Sequence, residues 1–116
     1  MLSYKNSEKI IRNYAKEYKK FKIIDLKGID LLKDNMLSEN VVSYIDSENK
    51  YTYYYSVQSK IELILDLLDW DCATFLKKEF FDFNINKTWW YSYYSRSTYY
   101  RLKKKYMNQF LELFYA

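Results

Sequence analysis

The chain has no histidine, no proline, a single glycine (Gly28) and a single cysteine (Cys72). Without histidine there is no imidazole proton shuttle, no histidine metal site and no Ser-His-Asp arrangement. One thiol cannot form an intrachain disulfide, which fits a reducing compartment. The near absence of Gly and Pro argues against a β-sandwich or barrel, which needs many tight turns, and suits helices joined by Asn, Asp and Ser. No Gly-rich phosphate loop is present, so nucleoside triphosphate chemistry has no visible cradle. No run approaches the roughly 20 apolar residues of a membrane span, and residues 1–21 carry charge throughout, unlike a secretory leader. These absences lead us to expect no catalytic activity, no cofactor, no metal, no membrane, and a cytoplasmic location.

What is present is apolar and aromatic. Of the 116 residues, 49% are hydrophobic and 22% aromatic, enough for a core without disulfide or metal support. The abundance of Lys, Asn, Ile and Tyr looks like AT-rich coding bias. The net charge of +4 is unevenly spread: residues 1–22 hold seven Lys/Arg against two Glu, residues 23–83 six Lys against twelve Asp/Glu, and residues 84–116 six Lys/Arg against Glu112. Basic ends around an acidic middle suit an anionic partner touched by the ends, although Lys-rich solvated helix faces give the same balance.

The fold expected is all-α: a long N-terminal helix, a connector and a C-terminal helical bundle ending in a helix-turn-helix. Residues 1–50 form the helix and connector, and residues 51–116 the helical module. Ser7 is a cap candidate for the first helix, with Glu8 in its first turn. Ile11, Tyr14, Tyr18 and Phe21 then repeat at helical spacing beside Ile10 and Ile24, with Lys9, Arg12, Lys16, Lys19 and Lys20 on the remaining surface. The helix is expected to run on through 23–32, with Gly28 a place to bend or end. Its stripe has two readings: packing on its own C-terminal half, or a homodimer seam.

Asp34–Lys50 is rich in turn and cap formers, with Val41–Ile45 a short apolar stretch inside it. Tyr51–Val57 has high β propensity but no partner strand, so it reads as the approach to a helix or its first turns. Ser59-Lys60-Ile61-Glu62 has the spacing of a capping box, ahead of a face formed by Ile61, Ile64, Leu65 and Leu68. Asp71 is then the cap candidate for a helix over Cys72–Phe83 that buries Phe75, Leu76, Phe80 and Phe83. Thr88 is placed to cap a short helix over Trp89–Tyr93, and Ser95 the last helix.

Asp66, Asp69, Asp71, Glu79 and Asp82 lie close in sequence but lack EF-hand spacing and its glycine, so they read as caps and solvated faces. Cys72 sits near a helix start, where the dipole lowers a thiol pKa, yet has no His partner; a buried apolar role suits it better.

The last helix carries the functional signal. Tyr99, Leu102, Tyr106, Phe110 and Leu113 form an expected inner seam, and Ser97, Arg101, Lys104 and Asn108 an outer face flanked by Tyr100 and Lys105. Small hydroxyl residues at a helix start, followed by Arg96, Arg101 and Lys103–Lys105, suit entry into a major groove and neutralisation of phosphates. The stretch Tyr94-Ser95-Arg96-Ser97-Thr98-Tyr99-Tyr100-Arg101-Leu102-Lys103-Lys104-Lys105 resembles the recognition helix of sigma-region-4-like helix-turn-helix proteins. Within that group it is similar to small phage late-transcription regulators of the ArpU and RinA type, and to a family of small mycoplasma proteins with a like C-terminal half. The resemblance spans about Ser59–Tyr115. It implies duplex DNA contacts by Ser95, Arg96, Ser97, Thr98 and Arg101, to which the outer face adds Tyr100, Lys104 and Lys105. It also implies association with RNA polymerase. Such motifs carry Gly where this chain has Tyr93 and a small Ala where it has Trp89, which predicts a widened helix pair or an outward Trp89.

The expected function is therefore DNA binding in transcription regulation. One alternative is a helical protein-interaction module, homodimeric or RNA polymerase-associated, without direct DNA contact, supported by the surplus of Trp89, Trp90, Tyr91, Tyr93 and Tyr94. Another is single-strand binding with tyrosines as stacking platforms.

Overall fold

The computed structural model describes residues 3–33 and 48–116. All regular structure among them is helical: α1 (Tyr4–Lys33), α2 (Glu48–Leu67), α3 (Trp70–Leu76), a π-helical turn (Lys77–Phe81), a 3-10 turn (Trp89–Ser92) and α4 (Arg96–Phe114). The connector expected over 34–50 falls outside the described residues, except that 48–50 already belong to α2.

Helix α1 starts four residues earlier than its sequence suggests. The Ser3 hydroxyl accepts from the Asn6 amide at 3.3 Å, so Ser3 is the cap and Ser7 a buried residue within the first turns. The backbone stays helical through Gly28. Its inner face is Ser7, Ile11, Ala15 and Tyr18, a 4-4-3 repeat, with Tyr14 half-buried beside it. This stripe packs inside its own chain. Tyr4 meets the Tyr100 ring at 6.5 Å and Tyr14 meets Phe114 at 4.5 Å. The contacts advance together along both sequences, so α1 and α4 run parallel, their N-terminal ends side by side.

Helix α2 overrides the β propensity of Tyr51–Val57; among the described residues no strand is available to pair with it. It begins at Glu48, so Ser59 is interior and makes no capping box. Glu62, the residue that would have closed that box, instead accepts from Gln58 at 3.3 Å and Tyr18 at 3.4 Å and pairs with Lys22 at 3.2 Å. Val57, Ile61, Ile64 and Leu65 are its buried face.

Helix α3 starts at Trp70, with Asp69 at the cap position but no side-chain cap bond; Asp71 lies in its first turn, where its charge suits the helix dipole. The segment after it departs from the 3.6-residue period. Through Lys77–Phe81 the helix is π, ending in an Asp82 amide to Lys77 carbonyl bond of 2.8 Å. A π turn takes up an extra residue and advances the helix face. Phe81 and Glu79 therefore turn inward, and Phe83, expected in the core, is 50% exposed. Phe75, Phe80 and Phe110 are the largest fully buried rings; burying one contributes about 1.5–3 kcal/mol.

Candidate nucleic-acid interface

Ser95 caps α4 as its sequence position suggests: extended backbone, side chain accepting from the Thr98 amide at 3.3 Å and donating to the Thr98 hydroxyl at 2.9 Å. The Ser97 hydroxyl lies 3.4 Å from that of Ser95. The helix thus begins with three hydroxyls gathered at the positive end of its dipole. Ser95, Arg96, Ser97, Tyr100, Arg101, Lys104 and Lys105 are exposed, and Thr98 is half-buried under the cap. Arg96 lies over the Tyr100 ring at 5.8 Å and Lys105 beside Tyr106 at 6.0 Å. Among the described residues, no carboxylate forms an ion pair with Arg96, Arg101, Lys104 or Lys105.

The inner side of α4 differs from the expected seam. Its buried row is Tyr99, Lys103, Met107, Phe110, Leu111 and Phe114, while Leu113 is 38% exposed and Leu102 and Tyr106 are half-buried. The helix is rotated by about one position because Lys103 belongs inside. Its ammonium lies 2.8 Å from Glu8 and 3.4 Å from Glu79. Lys103 is therefore no part of the phosphate-facing set. Arg12 closes the cluster, 2.6 Å from Glu8 and 3.9 Å from Glu79. Glu79 is held on both oxygens, accepting from the Tyr99 hydroxyl and, at 2.8 Å, from the Trp89 indole. This network ties α1, the π turn, the 3-10 turn and α4 together, and it fixes which side of α4 faces solvent.

The same network answers the question posed by Trp89. The residue does not turn outward. It points inward, edge-on to Phe75 at 5.0 Å, with its N–H on Glu79. Trp90 stacks on Tyr99 at 4.2 Å and 11°. With the two indoles held on different elements, Trp89–Ser92 form a single 3-10 turn where a short helix over 89–93 was expected. Thr88 does not cap it; its amide and hydroxyl both donate to the Asn86 side chain, at 3.0 and 2.9 Å. Tyr91 and Tyr93 point to solvent, 66% and 65% exposed.

Burial and charge set the protonation behaviour. Burial works to raise the Glu8 carboxyl, but Lys103 and Arg12 outweigh it and hold it below its ordinary 4.5. Burial likewise works to depress Lys103, and the Glu8 hydrogen bond and the Glu79 charge push it above 10.5 instead. The Tyr99 phenol is raised well above 10.0, first by burial and then by its bond to Glu79. Burial, with Asp69 nearby, pushes the Cys72 thiol up to about 11, the opposite of dipole activation, so Cys72 is an apolar core residue. A depressed carboxyl contributes stability above its unfolded value that is lost as pH falls through the folded one; raised groups contribute stability below their unfolded values that is lost at higher pH. Thermal denaturation should therefore show a midpoint that is flat between about pH 6 and 9 and falls on both sides, below about 4.5 and above about 10. Glu8→Gln should weaken the acid-side slope; an unchanged slope would remove Glu8 from this account.

Sequence reasoning missed this cluster because it assigned Lys103 to the basic surface and Glu79 to a solvated face. A signal was available. Tyr99, Lys103, Met107, Phe110 and Phe114 also repeat at helical spacing, and a lysine in an apolar row needs a buried carboxylate opposite it. No protein family, curated protein or solved structure matches this chain.

Proposed function

We propose that this chain binds double-stranded DNA through the outer face of α4, residues Ser95–Lys105, as a transcription regulator in the manner of sigma-region-4-like recognition helices. The observation that carries the reading is the pairing of opposites on α4. Lys103 is consumed inside by Glu8 and Glu79, while Arg96, Arg101, Lys104 and Lys105 stand in solvent with no carboxylate partner among the described residues. A helix anchored on one side and unneutralised on the other suits a polyanion. Ser95, Ser97 and Thr98 supply hydroxyls and backbone amides at the helix start, where a phosphate or base edge is met; Arg96 and Arg101 supply forked donors for guanine or phosphate; Lys104 and Lys105 add charge, and Tyr100 a ring. The role is one of binding, not catalysis. RNA polymerase association remains part of the same proposal.

The test is fluorescence anisotropy with duplex DNA, single-stranded DNA and RNA at low and at physiological salt. Duplex should bind tightest, with log affinity falling along log salt by about 0.9 per phosphate contacted. Tighter binding of single strands would favour stacking on Tyr91, Tyr93 and Tyr100 instead, and no binding of any nucleic acid at low salt would sink the proposal.

A second reading has its own observation. Leu63, Leu67 and Trp70, at the end of α2 and start of α3, are 58%, 65% and 78% exposed. Leu63 and Leu67 are one turn apart on the same helix face, which suits a protein partner better than a nucleic acid.

A further inference from the structure

A second basic feature lies on α1, independent of α4. Arg12, Lys16, Lys19 and Lys20 line one side of a groove of about 310 Å3. Ala15, Phe80 and Ile85 form its apolar floor, and no lining residue is acidic. From Arg12 to Lys20 the row covers eight helical steps, about 12 Å. Arg12 is positioned from below, its guanidinium 5.1 Å from the Phe80 ring centre and paired with Glu8. Among the described residues, Lys16, Lys19 and Lys20 have no carboxylate within ion-pair distance.

That arrangement works against the helix that carries it. Arg12–Lys16 and Lys16–Lys20 are i,i+4 like-charge pairs and Lys16–Lys19 an i,i+3 pair, each costing a helix about 0.2–0.5 kcal/mol. The crowding is felt at Lys19, whose ammonium is depressed first by burial and then by the Arg12 charge, with only Asp82 opposing. A concave site with an apolar floor keeps water away from one side of an ion, which strengthens each charge contact. The size is at the lower end of small-ligand sites, and a groove this short holds a compact, multiply charged anion better than a strand of nucleic acid.

We infer that the groove bounded by Arg12, Lys16, Lys19 and Lys20 binds the diphosphate group of a small molecule. The same chemistry is offered by inorganic pyrophosphate and by a nucleoside diphosphate. Lysines engage the outer phosphoryl oxygens as mobile point charges, and Arg12, already oriented by Glu8 and Phe80, offers its remaining N–H donors to one phosphoryl group.

Isothermal titration of the full chain at low salt with pyrophosphate, ADP, orthophosphate and adenosine tests this. Pyrophosphate and ADP should bind with submillimolar Kd, orthophosphate at least about tenfold more weakly, and adenosine not measurably. If ADP binds more tightly than pyrophosphate, the nucleotide is the natural source; if the two are equal, the diphosphate alone is read. Lys16→Gln with Lys20→Gln, both exposed, should weaken pyrophosphate by about tenfold or more. Lys104→Gln with Lys105→Gln should leave it unchanged. Absence of binding at millimolar ligand, indifference to the Lys16/Lys20 pair, equal loss in the Lys104/Lys105 pair, or displacement of bound pyrophosphate by a single-stranded oligonucleotide at lower concentration would each overturn the inference. Duplex binding by α4, measured separately, is unaffected by any of these outcomes.

Discussion

Lys103→Ala is expected to lower the stability of the folded chain by about 3–5 kcal/mol, a cost typical of removing one partner from a buried ion pair. The ammonium is buried between Glu8 and Glu79, and Glu79 is itself buried. Without Lys103 the Glu79 carboxylate keeps the Tyr99 hydroxyl and the Trp89 indole, but its charge is left with Arg12 alone, 3.9 Å away. A domain of this size has roughly 5–15 kcal/mol in total, so the loss is a large share of it. Urea denaturation measures it directly. Removing the opposed charge as well should restore much of the loss: Glu79→Gln on the Lys103→Met background should be clearly more stable than Lys103→Met by itself. A loss below about 1 kcal/mol for Lys103→Ala would mean that the cluster behaves as a surface pair.

The largest functional effect should come from Arg96→Ala combined with Arg101→Ala. Each side chain is exposed on α4 and neither contributes to the buried row, so the variant should fold with unchanged helicity and midpoint. An arginine contact to guanine or phosphate is worth about 1–3 kcal/mol, so the pair should weaken duplex binding by about thirtyfold or more. The salt slope should also shrink by about 2, one unit per lost charge contact. The two arginines are separable: a change at a base-reading position relaxes sequence preference, whereas a phosphate contact weakens all sequences alike. Full affinity in the double variant would exclude the outer face of α4 as the DNA surface.

Much of the scaffold was legible from local chemistry. The 3-4 spacing of Ile11, Tyr14 and Tyr18 marked α1, and the Ser95 hydroxyl marked the start of α4 because a cap acts within three residues of itself. The exposure of Ser97 and Arg101 followed from helix periodicity alone. What was not legible depended on distant partners or on a broken period. Ser59–Glu62 has the form of a capping box, yet Glu62 is drawn to Tyr18, 44 positions away in sequence, and to Lys22 beside it. Phe83 was expected on the buried face of a helix reaching 83, but the π turn ends the helix at Phe81 and extended Asp82 carries Phe83 out of the core. Lys103 looks like its neighbours Lys104 and Lys105, and only the arrival of Glu8 and Glu79 from other elements sends it inward. Trp89, bulky where a small residue was anticipated, is accommodated by giving its N–H a buried carboxylate and shrinking a helix to a single turn.

The parallel pairing of α1 with α4 also governs the order of assembly. Glu8 meets Lys103 across a sequence separation of 95 residues. Closing a loop of that length costs about 4 kcal/mol of chain entropy before any contact is gained. At about 5–20 residues per second of synthesis, Lys103 follows Glu8 by about 5–20 s, whereas α2, which meets α1 through Tyr18–Glu62 and Lys22–Glu62, emerges earlier. The start of α1 is thus completed by a helix made about 95 residues later, and the basic outer surface of α4 takes up its final orientation only when that pair closes.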